Sequence, residues 1–151
     1  MRRVVVTGLG TINPLGNTVE TSWNSLVGSS SGISKITKFD VKDYPCKIAG
    51  SIDDSKINVD IVSLRDQRKI DRFITLGLIA ADEAIKDSGF VCDNDSSLRS
   101  GVMVGSGIGG LDTIYRNSSI LDNRGIRKIS PFFIPSSLIN LLSGHISIKY
   151  N

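Results

Sequence analysis

Histidine, cysteine and tryptophan are nearly absent from this 151-residue sequence, which holds one His, two Cys and one Trp. Two cysteines and a single histidine cannot build a disulfide framework or the ligand set of an ordinary zinc site. Aromatics amount to 6%, and none are interleaved with basic residues as stacking on nucleic-acid bases requires. Charge of one sign is scarce too. Lys and Arg total 18 against 15 Asp and Glu, a formal +3, too small for a generic nucleic-acid binder. No apolar run approaches the about 20 residues that cross a bilayer. Only Val4-Val5-Val6 follows Met1-Arg2-Arg3 before Thr7-Gly8, so no signal-peptide core is expected. These absences leave a cytoplasmic chain with neither a nucleic-acid nor a membrane partner as the expectation. What is present suffices for a core: 40% of residues are hydrophobic, and a single domain of this length buries roughly 70% of the unfolded chain's surface.

Residues 3–7 (RVVVT) form a β-branched run with no polar alternation, the signature of a strand covered on both faces. Asn13-Pro14 and Leu15-Gly16-Asn17 mark a turn. Asn17 or Thr18 then caps a helix to about Val27, with Glu20 in its first turn, and Gly28 to Gly32 breaks it. Residues 33–64 lack a clear period apart from a short strand expected at 46–51. The clearest segment is 66–88, where Ile70, Phe73, Ile74, Gly77, Leu78, Ala81, Ala84 and Ile85 share one helical face. Leu76, Ile79 and Ala80 fill the opposite side, which predicts a helix buried all round, stopped at Gly89. Residues 101–104 (GVMV) repeat the buried-strand signature, the glycine-rich GSGIGG spans 105–110, and a helix follows over about 111–122. Residues 124–135, with two prolines, are expected as a loop, and Ser136-Ser137 as the cap of a last helix over 137–149. The alternation of strand and helix argues an α/β fold, with too few strands for a closed sheet.

GSGIGG satisfies G-x-G-x-x-G through Gly105, Gly107 and Gly110. A dinucleotide fingerprint also wants an acid about 20 residues on, where this sequence has Arg124, Arg127 and Lys128. A tight turn or close packing is the favoured account, and a Rossmann-type nucleotide-binding domain the disfavoured one. Cys46 follows Tyr44-Pro45 and Cys92 precedes Asp93; neither opens a helix, the placement that activates a thiol. His145, among Leu141, Leu142, Ile146 and Ile148, reads as a core or hydrogen-bonded helix histidine with no partners for a metal. Arg65, Arg68, Lys69 and Arg72 share their stretch with Asp66 and Asp71, an excess of two cations. Arg124, Arg127 and Lys128 have no acid between Asn123 and Phe133 and make the purer positive patch. Together the two groups suit weak, salt-sensitive docking of an acidic partner, with a reach of about 8 Å.

The segments RVVVTGLGTINPLGN (3–17), SGIS (31–34), RKIDRFI (68–74), GSGIGG (105–110) and RKISPFFIP (127–135) resemble β-ketoacyl-acyl-carrier-protein synthase II. That is the chain-elongating condensing enzyme of bacterial fatty acid synthesis. The likeness runs from end to end of the chain but over well under half of the family's length. It implies an incomplete N-terminal half of a thiolase-like α/β/α layered fold, one partial domain over 1–151, from a family that forms homodimers and uses no cofactor. A cysteine at a helix N-terminus carries the acyl chain in that family, and two histidines and a lysine support decarboxylation and Claisen condensation. Those residues lie beyond Asn151, and Cys46, Cys92 and His145 match none of them, so this chain is expected to be inactive alone. Ile108 resembles the residue that gates the acyl pocket, and Phe133 one near that pocket at the dimer interface. Arg65, Arg68, Lys69, Arg127 and Lys128 resemble the patch that docks the acidic, phosphopantetheine-bearing acyl carrier protein. A non-catalytic carrier-binding or assembly module is the alternative from another class. With further strands of the family's sheet lying past Asn151, uncovered strand edges and self-association are expected, and a separate C-terminal piece is a conceivable partner.

Overall fold

The computed structural model describes residues 2–58 and 60–151. Its elements run α1 (Val19–Val27), β1 (Ile33–Lys35), β2 (Ile48–Gly50), α2 (Leu64–Gln67), α3 (Arg72–Ser88), α4 (Asn94–Ser97), α5 (Leu111–Arg124), α6 (Phe133–Ser137) and α7 (Asn140–Tyr150), with short 3-10 turns at Asp54–Lys56 and Ile126–Lys128. Two compact units are present, one made of residues up to 58 with 79–89, the other of 59–78 with 90–151.

In the first unit α1 begins where its cap dictates. The Thr18 side chain accepts from the Thr21 amide at 3.1 Å, and the Gly28 amide donates to Asn24 O at the other end. β1 and β2 pair antiparallel, Ile33 opposite Gly50 and Lys35 opposite Ile48, so the strand expected at 46–51 is present over its centre. The strand expected at 3–7 is not. Among the described residues it has no ladder partner, and Val4 is 92% exposed. The backbone just after it is held by side chains instead. Asp87 accepts from the Leu9 amide at 2.9 Å, and Glu83 accepts from Thr11 at 2.9 Å and Val19 at 2.8 Å. Gly8 and Gly10 let that segment lie directly on α3, since a Cβ at either would collide with the carbonyl oxygens of Ala84 and Ala80.

In the second unit the core gathers Val62, Ile74, Leu78, Leu142 and Ile146, with Ile74 fully buried. Gly77 lets α7 approach α3, because a Cβ there would fall 2.5 Å from Leu142 Cδ2. From Phe73 to Ile85 no residue of α3 is exposed, as the all-round apolar pattern predicts, and Gly89 follows with φ +64°. The helix starts later than expected, at Arg72, because Asp71 takes the cap position. Residues 101–104 have no ladder partner among the described residues, and Met103 is 98% exposed, so the second expected strand is also not formed. Both corrections share one cause: a β-branched run becomes a strand only where another backbone completes its hydrogen bonds. The stretch expected as a loop at 124–135 contains a 3-10 turn and the start of α6. Pro135 sits in the first turn of α6, where its missing N–H costs nothing, and this pulls a helix upstream of Ser136-Ser137. Those serines therefore do not cap α7. They are buried, and their hydroxyls donate back to Phe132 O and Phe133 O.

Candidate functional site

All the residues singled out from the sequence for pocket or docking roles lie in the second unit. The glycine-rich loop leads into α5. Gly109 has φ +76°, a conformation that disfavours any side chain, and its amide donates to Ser106 Oγ at 3.1 Å. The Gly110 amide donates to Ser137 O at 3.0 Å, and a Cβ on Gly110 would meet Ser137 Cα at 2.7 Å. The loop thus packs backbone to backbone on the end of α6. Ile108, 62% exposed, stands two residues before that junction; Phe133, half-buried, stands one helical turn before Ser137. The fold brings their two segments together through the Gly110–Ser137 bond.

No side chain from Gly110 caps α5. The cap comes from elsewhere. Asp71, 6% exposed, accepts from the Thr113 amide through Oδ2 at 3.0 Å and from the Phe73 amide through Oδ1 at 3.2 Å. One carboxylate therefore serves the N-termini of both α5 and α3. A carboxylate already placed there answers the helix dipole and would repel a phosphate, which argues against a dinucleotide site. Of the three glycines in the G-x-G-x-x-G spacing, Gly110 serves close packing, while Gly105 and Gly107 stand in open space.

The basic residues form two segments. Arg65 lies in α2 and Arg68 ends it, both exposed; half-buried Lys69 sits 3.1 Å from Asp66 Oδ1. The Ser63 hydroxyl, and then Lys69, hold the Asp66 carboxyl below its ordinary value. Asp71 of the same stretch is turned inward to its two amides, so it does not offset these cations at the surface. In the second segment Arg127 and Lys128 project from the 3-10 turn that follows Gly125, whose φ is +76°. Both are exposed, and neither is in an ion pair among the described residues. Asn117, buried in the middle of α5, accepts from the Ser130 amide at 3.1 Å just beyond this turn.

The thiols are poorly placed for nucleophilic chemistry. Cys46 is exposed and donates to Ile48 O at 3.2 Å, while Cys92 donates to Asn151 O at 2.9 Å. Both face carbonyl acceptors, with the Ser96 hydroxyl 4.0 Å from Cys92 Sγ, whereas a thiolate is stabilised by N–H donors or cations. His145 is half-buried on α7 between Leu142 and Ile146. No group of three metal-ligating side chains is found, and no helix is long and apolar enough to cross a membrane, among the described residues. Sequence reasoning missed Asp71 and Asn117. The first had a usable signal, an Asp directly before the apolar run of α3. The second had none.

The chain is similar to known proteins in both sequence and fold. The family model described as beta-ketoacyl synthase, N-terminal domain, matches residues 1–151. The 3-oxoacyl-[acyl-carrier-protein] synthase 2 of Vibrio harveyi is 45% identical over 97% of this chain, which spans 35% of that relative's length. Among solved structures, a type II polyketide ketosynthase in complex with its acyl-carrier protein superposes with a TM-score of 0.73 at 28% identity, covering 99% of this chain and 39% of that one. A β-ketoacyl synthase from Burkholderia phymatum superposes with a TM-score of 0.78 at 20% identity, covering 99% of this chain and 37% of its own, a likeness of the thiolase-like fold alone. The chain belongs to the β-ketoacyl synthase family and carries an N-terminal portion of its fold.

Proposed function

We propose that this chain is the N-terminal part of a β-ketoacyl-acyl-carrier-protein synthase of the synthase II kind, working in the cytoplasm. The full enzyme would accept an acyl group on cysteine and extend it by decarboxylative condensation with malonyl-carrier protein. The observation that carries the reading is the end-to-end similarity at 45% identity to a 3-oxoacyl-[acyl-carrier-protein] synthase 2. In this reading the 151 residues form one partial domain that supplies pocket wall and docking surface. Ile108 gates the acyl pocket, Phe133 lines it near a dimer interface, and Arg65, Arg68, Lys69, Arg127 and Lys128 receive an acidic acyl carrier protein. The two unpaired cations of the 3-10 turn support the docking role. The exposed Val4–Val6 and Met103 support association with a second copy or with the rest of the sheet from a C-terminal part.

No turnover is expected of the chain alone. An acyl-enzyme needs a thiolate held by amide donors, and both thiols here face carbonyls. The test is malonyl-dependent extension of an acyl-carrier substrate by the purified 151-residue chain. Product above a no-enzyme blank refutes the inactivity; product equal to the blank, with carrier binding retained, supports it.

A further inference from the structure

A buried asparagine in the middle of a helix is an expensive choice. Asn is among the poorer helix formers, because its side chain competes for backbone groups. Asn117 nevertheless occupies the centre of α5 and is 6% exposed. Both ends of its side-chain amide are engaged. Nδ2 donates to Thr113 O at 2.9 Å, one turn back in the same helix, which leaves Oδ1 facing outward to the Ser130 amide at 3.1 Å. The first bond orients the second.

Ser130 is the joint of the basic segment. On one side lies the 3-10 turn, closed by Lys128 N to Gly125 O at 3.1 Å and Ile129 N to Ile126 O at 3.2 Å. On the other side α6 begins, with Phe132 N on Ser130 Oγ at 3.1 Å and Phe133 N on Ser130 O at 3.0 Å. Each of those bonds is local, and a single 3-10 turn is marginal by itself. The Asn117 bond ties the joint to a 14-residue helix. Arg127 and Lys128, three and two residues upstream, are carried with it.

We propose that Asn117 is a positioning residue for partner recognition: from within α5 it holds the Ser130 amide and so pre-orders the Arg127–Lys128 turn for an acidic carrier protein. The proposal rests on the docking role given to those two cations. A weak, charge-driven partner gains little from side chains that must first be ordered, so a turn fixed beforehand binds tighter than a loose one bearing the same charges.

The experiment uses the whole 151-residue chain and unloaded acyl carrier protein as the probe. Carrier affinity is measured by titration at several salt concentrations, and exchange of the Ser130 amide by NMR. Asn117→Leu keeps the bulk and removes the acceptor; we expect binding about 5- to 10-fold weaker, the worth of one lost ordering contact. The dependence of log Kd on log salt should keep its slope, since no charge has changed. Asn117→Asp keeps an acceptor at the same reach but loses the Nδ2 donor to Thr113 O that orients it, so protection of its Ser130 amide should fall between that of Asn117→Leu and that of the unaltered chain. Ile74→Val, which loosens the core without touching the turn, should leave carrier affinity unchanged. Free Ser130 exchange in the unaltered chain overturns the proposal with no variant needed. So does full carrier affinity in Asn117→Leu when its Ser130 amide has become free. Where Arg127→Glu with Lys128→Glu weakens binding and Asn117→Leu does not, the positioning role falls and the docking role stands; where neither matters, both fall.

Discussion

Replacing Asp71 tests whether one carboxylate organises the second unit. Its two oxygens reach different helices, Phe73 N of α3 at 3.2 Å and Thr113 N of α5 at 3.0 Å. Losing a cap costs about 1 kcal/mol, and up to about 2 where the acceptor is well placed. Asp71→Ala removes both at a 6% exposed position, so the expected loss is about 2–4 kcal/mol, a large share of the ~5–15 kcal/mol typical of a domain. Asp71→Asn retains one carbonyl oxygen but turns an N–H toward the other helix, so about half of that loss is expected. At this chain length each kcal/mol shifts the melting temperature by about 2–4 °C. Urea melts of the two variants give the sizes, and hydrogen exchange at the Phe73 and Thr113 amides locates the effect. The reasoning fails if Asp71→Asn melts with the unaltered chain, or if the Thr113 amide keeps its protection in Asp71→Ala. Since Gly110 packs beside Asp71, with a hypothetical Cβ 3.2 Å from Asp71 Cβ, the same substitution should loosen the loop that carries Ile108.

Gly10→Ala should cost at least about 3 kcal/mol, because the new methyl meets the α3 backbone at Ala80 and not a side chain that can move. Gly144→Ala, in open space within α7, should instead stabilise by roughly 0.5–1 kcal/mol, and a paired denaturant series separates the two. Acid should fray α2 and α4 first. Asp66 is held below the ordinary value by Ser63 and then Lys69, and Asp93 by the Ser96 amide and side chain. A carboxyl lowered in the folded state contributes stability above its unfolded value, near 3.9, and loses it as pH falls through the folded one; NMR midpoints at or above the ordinary aspartate value contradict this. Light scattering should find the isolated chain associated and not monomeric, given Val4 at 92% and Met103 at 98% exposure; a sharp monomer with cooperative melting counts against it.

Local chemistry was legible in the sequence wherever a residue acts on its own neighbours. Thr18 and Gly28 bound α1, Gly89 ends α3, and the all-round apolar pattern of 66–88 announces a buried helix. In GSGIGG, Gly109 is used for a positive φ and Gly110 for a close approach, while Gly105 and Gly107 stand in open space. Tertiary structure decided what depends on distant partners. The runs at 3–7 and 101–104 have strand propensity, but a strand needs a second backbone, and among the described residues none pairs with them. Asp71 acts on an amide 42 residues away and Asn117 on one 13 residues away. Neither bond follows from the period of a helix or the composition of a loop, since only packing decides which buried donor meets which acceptor.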